Sequence, residues 1–173
     1  MSIQTINIMK ANYLILDGAR IGENIDKADT LNKQNISLYN RKGEEYLRTV
    51  APYLFTFDLS SDFASWIDKE SWGKSWGIFI ASNSNIEQLQ NHLRNFITAN
   101  TEDGNQFYFR FYDPRVLRVF LPSCDLRQLT EFFGPVECYS MEDEDPKFVL
   151  RFRFENNKLI RDRISKYDFL ASN

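Results

Sequence analysis

The sequence predicts an α/β fold: a single lobe with a mixed β-sheet flanked by helices and a strand-rich C-terminal end. Three observations predict it. Apolar runs of strand length alternate with segments of helical period along most of the chain. Two of the helical segments open on reciprocal side-chain caps. Beyond Pro135 the pattern changes to alternating strands joined by turn residues. Strands interleaved with helices build a layered domain around one sheet.

The elements follow in chain order. The run NYLILDGA reads as a buried strand stopped by an Asp-Gly turn. Residues 21–33 form a weak helix, with Ile21, Ile25 and Leu31 too scattered to make a firm stripe. ISLYN is a short strand, and APYLFTFD a better one, with Pro52 first, where its missing N–H does least harm. Ser60 or Ser61 caps a helix through Ile67, and SWGIFIAS returns as a strand ending at Ser82.

In the next helix Ser84 and Glu87 form a capping box. Ile86, Leu89, Leu93, Phe96 and Ile97 share one face. QFYFRFY then alternates as a strand, with Phe107, Phe109 and Phe111 opposite Tyr108, Arg110 and Tyr112. Asp113 accepts hydrogen bonds from the first N–H groups of a following helix, and Pro114 suits its first turn. A further helix is capped by Asp125 with Gln128 and stops at Gly134 and Pro135. ECYSM, the acidic EDEDP turn and KFVLRFRFE make a hairpin, extended by KLIRDRI across an Asn-Asn turn.

No repeat, linker or low-complexity tract divides the 173 residues, so they are expected to form one domain, 1–173. The net charge of -3 argues against a general nucleic-acid binder. The balance is uneven. Residues 1–146 hold 14 Lys/Arg against 21 Asp/Glu, a net of -7, and residues 147–173 hold 7 against 3, a net of +4. No run approaches the ~18 apolar residues of a membrane span. The N-terminus lacks the basic and apolar regions of a secretory leader, so a cytoplasmic location is expected.

The constellations that tempt a chemical reading are weak. WGKSWG contains Gly-Lys-Ser, but the glycine a phosphate loop requires is replaced by Asp68, and the segment precedes a strand rather than a helix. Trp72 and Trp76 read as packing anchors. His92 is the single histidine and reads as a boundary residue; Cys124 and Cys138 read as reduced, partly buried thiols. EDEDP reads as a solvated hairpin tip, since an EF-hand spacing is absent. No catalytic residue, metal site or cofactor is assigned.

Two basic groups remain. In KFVLRFRF, alternation sets Phe148, Leu150, Phe152 and Phe154 on one face, with Lys147, Val149, Arg151 and Arg153 on the other. Lys147, Arg151 and Arg153 form a candidate basic face for an acidic protein or RNA. In RFYDPR, Arg110 must find a carboxylate if it is covered; Arg110, Asp113 and Arg115 could otherwise serve a small enzyme or ligand-binding domain on an anionic substrate.

YLILDGA, APYLFTFD, SWGIFIAS followed by LQNHLRNF, FRFYDPRVLRVFLP and FFGPV, in this order, resemble the adaptor, or chaperone, proteins of bacterial type VI secretion. The family's most specific signature is matched by Arg110, Phe111, Tyr112, Asp113, Pro114 and Arg115. The resemblance implies a non-enzymatic protein of a Gram-negative cytoplasm. Such a protein binds a toxic effector, loads it onto a VgrG spike protein and stays behind. It also implies an α/β lobe, with the helical lobe often found in the family expected to be absent or reduced to SKYDFLASN. The signature residues are carried over as a structural corner bordering a partner surface.

Overall fold

A computed structural model describes residues 10–39, 47–100 and 103–172. Strand β1 (Tyr13–Asp17) leads into the one-turn helix α1 (Gly18–Ile21) and α2 (Asn24–Leu31). β2 (Asn35–Ser37) and β3 (Pro52–Thr56) follow, then α3 (Asp62–Glu70) and β4 (Gly77–Ser82). After α4 (Ile86–Arg94), the short strands β5 (Thr98–Asn100) and β6 (Gln106–Tyr108) form a separate hairpin. α5 (Pro114–Ser123), α6 (Leu126–Phe133), β7 (Val136–Glu142), β8 (Phe148–Glu155), β9 (Lys158–Ser165) and α7 (Lys166–Ser172) complete the chain.

Seven strands form the main sheet in the order β2-β3-β1-β4-β7-β8-β9. The α/β class stands, but the sheet is antiparallel at every described pairing rather than mixed. The helical crossover from β3 to β4 does join two parallel strands. β1 lies between them and pairs antiparallel with both, so no parallel neighbours arise.

Both faces of the sheet are covered. Alternation in β1 sends Tyr13 and Ile15 to one side and Leu14 and Leu16 to the other, and all four are buried. The first core takes Leu89 and Leu93 of α4, Leu117 and Leu121 of α5 and Phe132 of α6. The second takes Ile25 of α2, Phe63, Trp66 and Ile67 of α3, and Phe169 of α7. Lys166–Ser172 of SKYDFLASN is thus a helix docked on the sheet through Phe169, 1% exposed; Asn173 lies outside the described residues, as do residues 1–9 of the segment read for a leader.

Local differences from the sequence reading have local causes. The α3 cap is Ser61, whose Oγ accepts from the Ala64 N–H at 3.1 Å, and the helix runs past Ile67 to Glu70. The α4 box is formed by Asn85 and Gln88, one residue later than the Ser84–Glu87 reading. Both pairs have the right chemistry; the Ser84 carbonyl instead accepts from the Tyr13 hydroxyl at 2.7 Å. The strand expected over QFYFRFY stops at Tyr108, because the Asp113 N–H donates to the Arg110 carbonyl at 3.0 Å and turns the chain. Phe111 and Tyr112 therefore do not alternate, and both are buried.

The WGKSWG segment is a turn built around a carboxylate from elsewhere. Glu142 accepts from the Gly73 N–H at 2.8 Å, the Ser75 N–H at 2.7 Å and the Ser75 hydroxyl at 2.8 Å. Glu142 is buried and does not belong to a solvated tip. Its neighbour Asp143 pairs with Arg163 at 2.6 Å; Glu144 and Asp145 alone of EDED are exposed.

Candidate functional site

The signature residues meet the end of β1. Asp17 closes that strand with no exposed surface, and Arg110 donates to its Oδ2. Gly18 follows because the Ala51 carbonyl accepts its N–H at 3.0 Å; a Cβ there would lie 2.2 Å from that oxygen. The Asp-Gly pair read as a strand stop therefore also supplies the anion that Arg110 needs. The hydrogen bond to Asp17 raises the Arg110 pKa above its ordinary value. Oδ1 of Asp17 and Nε of Arg110 have no hydrogen-bond partner among the described residues.

Phe111 packs edge-on to Phe132 with ring centroids 5.5 Å apart, which pins the turn to α6. Tyr112 is 2% exposed, and its hydroxyl is hydrogen-bonded to that of Tyr39. Burial, with that hydrogen bond, pushes the Tyr112 phenol far above its ordinary pKa.

Asp113 caps α5. Its Oδ1 accepts from the Arg115 N–H at 2.9 Å and from Arg115 Nε at 3.0 Å, and its Oδ2 accepts from Nη2 at 2.6 Å. One carboxylate thus serves both a helix start and a fork-shaped cation. Burial alone would raise the Asp113 pKa; the hydrogen bonds from Arg115 outweigh it and hold the carboxyl below its ordinary value. Pro114 occupies the first turn.

The corner is therefore two aspartate–arginine pairs with their carboxylates inside and their guanidinium groups half in water. Side-chain exposure is 42% for Arg110 and 51% for Arg115, against 0% and 4% for the aspartates. Beside it the β5–β6 hairpin presents Phe107 and Tyr108, both about half exposed, with the Tyr39 ring tilted against that of Tyr108 at a centroid distance of 5.3 Å. A cleft of about 290 Å³ opens elsewhere, lined by Ile25, Asp29, Asn35, Arg48, Tyr53 and Phe55. No signature residue lines it.

The candidate basic face does not assemble. Lys147 is exposed, but Arg151 is only 1% exposed, and Arg153 is committed to Glu155 at 2.7 Å and Asp162 at 2.9 Å. The cause is that α7 packs on this face of β8, where Val149 and Phe169 share one core. That face is buried from Val149 to Arg151. All three guanidinium nitrogens of Arg151 lack a hydrogen-bond partner among the described residues; the nearest carboxylate oxygen, on Asp162, is 3.9 Å away.

Two residues that matter were not singled out from sequence. Asp17 had a signal, an acid at the end of an otherwise apolar strand; Glu142 had none, being one of four adjacent acids. His92 is a boundary residue as read, its Nε2 2.9 Å from the Phe132 carbonyl. Cys124 and Cys138 are free thiols, half-buried and buried, and burial raises the pKa of each. Among the described residues no group of three or more His, Cys, Asp or Glu is placed to hold a metal ion. No helix among them is long and apolar enough to cross a membrane.

The family model DUF4123, described as a domain of unknown function, matches residues 12–131, from the start of β1 into α6. No curated protein and no solved structure matches the chain.

Proposed function

The chain belongs to the DUF4123 family, and from that premise we propose that it is an adaptor. On this reading it binds a type VI secretion effector in the cytoplasm and helps load it onto a VgrG-type spike, without catalysis and without a cofactor. The observation that supports the reading best is how the signature residues are used. Arg110 is engaged by Asp17, Arg115 by both oxygens of Asp113, and Phe111 and Tyr112 are buried. Groups consumed in fixing a corner serve a rigid scaffold. Recognition then falls to the outer surface, where Phe107 and Tyr108, exposed aromatic side chains of the kind enriched at protein interfaces, stand beside that corner.

The test is co-purification. The chain, tagged and co-expressed with the proteins encoded beside its gene, is expected to retain an effector, a spike or both through size-exclusion chromatography. Retention of neither, with both shown to be folded, overturns the reading.

A further inference from the structure

β9 is the last strand of the sheet, and no described strand pairs with its outer edge. It is eight residues long, KLIRDRIS, with no proline and no register shift; the opposite edge strand, β2, has three residues. A long, straight edge is a template for another chain. The Lys166 N–H donates to the Lys147 carbonyl at 2.8 Å, across the β8–β9 pairing. Alternation therefore turns the backbone groups of Ile160, Asp162 and Ile164 toward β8 and those of Leu159, Arg161 and Arg163 outward.

The side chains of Arg161 and Arg163 lie on one face, each over an aromatic ring of β8. The Arg163 guanidinium is 3.5 Å from the centroid of Phe148 and that of Arg161 is 6.0 Å from Phe152. A cation–π contact uses the charge of a guanidinium without using its N–H donors, which remain for a carboxylate. Arg163 spends one of these on Asp143, whereas Arg161 and Lys158 have no ion-pair partner among the described residues.

A second copy fits this edge poorly. In the two-fold registers of greatest overlap, Arg161 stands opposite Arg161 or Arg163 of that copy, and like charges directly opposite are destabilising. An acidic strand reverses the sign. We propose that β9 takes up an extended segment of a partner protein as an added strand, and that this segment carries Asp or Glu at alternate positions facing Arg161 and Arg163. The assignment of that segment to an effector or spike rests on the adaptor reading; the chemistry of the edge does not.

The full chain is titrated with a blocked fluorescent peptide of alternating Glu and Val, as long as β9. Two controls run beside it: the Lys/Val peptide and a Glu/Val peptide N-methylated at its ladder-forming amides. The Glu/Val peptide is expected to bind and to slow hydrogen exchange at the Arg161 and Arg163 amides, and neither control is. Arg161→Glu is expected to weaken binding roughly fivefold or more. Arg161→Pro, which removes an outward N–H that the fold does not use, is expected to abolish it with the melting temperature kept. Absence of Glu/Val binding, equal binding of the N-methylated peptide, or protection elsewhere overturns the proposal, and these arms need only the wild-type chain. Failure of the adaptor reading shows separately, in the co-purification.

Discussion

Arg110 donates a hydrogen bond to the buried carboxylate of Asp17 across 93 residues of sequence. The contact joins the end of β1 to the turn that starts α5, so two stretches each legible as motifs form one clamp. The same economy recurs at Glu142, which wraps the Gly73–Ser75 turn around its carboxylate.

Glu142→Ala strips acceptors from the Gly73 and Ser75 amides. A loss of about 2 kcal/mol is expected from the urea midpoint, since buried donors are left unpaired. Hydrogen exchange at those two amides accelerates in the same variant. Glu142→Gln, which keeps one acceptor oxygen, loses less.

Asp113 sets a pH dependence whose sign follows from its lowered pKa. The folded state holds the proton less tightly than the unfolded chain, whose aspartate titrates near ~3.9. Its contribution is therefore full above that value and is lost as the pH falls through the lower folded one. Urea midpoints measured from neutral pH downward are expected to fall more steeply below about pH 4 for the wild type than for Asp113→Asn.

Gly134 has φ of 44° and lies against the His92 ring, where a Cβ would approach Cε1 to 2.4 Å. Gly134→Ala is expected to cost about 2 kcal/mol, part from the left-handed backbone and part from the clash. In a His92→Ala background the cost falls to about 1 kcal/mol, the backbone share alone. Equal costs in the two backgrounds would show that the ring is not the obstacle.

Among the described residues the buried guanidinium nitrogens of Arg151 lack a geometric hydrogen-bond partner; the Cys138 thiol lies beside them, and the nearest carboxylate oxygen, on Asp162, is 3.9 Å away. Removing a charge so poorly compensated, while keeping its volume, is expected to be neutral or to stabilise by about 1 kcal/mol, so Arg151→Met raises the melting temperature or leaves it unchanged. A loss of more than about 2 kcal/mol would mean that the guanidinium is held by its polar neighbours, the Cys138 thiol first among them.

The fold was legible wherever local chemistry decides it. Pro52 opening β3, Ser82 ending β4 and the Asp125–Gln128 box of α6 all stand where residue types placed them. What stayed hidden is non-local. The insertion of β1 between β3 and β4 makes the sheet antiparallel, and no segment records that insertion by itself. β5 is Thr-Ala-Asn, too short to carry a period. Alternation in β8 correctly separated its two faces but could not tell which is covered. Val149, an apolar residue among the basic ones, was the sign that the second face goes inside. At the corner, the Asp113 cap and Pro114 were readable because they act within three residues, whereas the partner of Arg110 lies far upstream.

The direct test of the clamp is a double-mutant cycle on Asp17 and Arg110, with Asp17→Asn, Arg110→Ala and the pair compared by urea unfolding. Arg110→Ala alone leaves a carboxylate with no exposed surface and no cation, and the two changes are expected to couple by about 1–2 kcal/mol, with the double variant more stable than additivity requires. Additivity within about 0.3 kcal/mol would contradict the account, because the signature arginine would then not be holding the corner to β1.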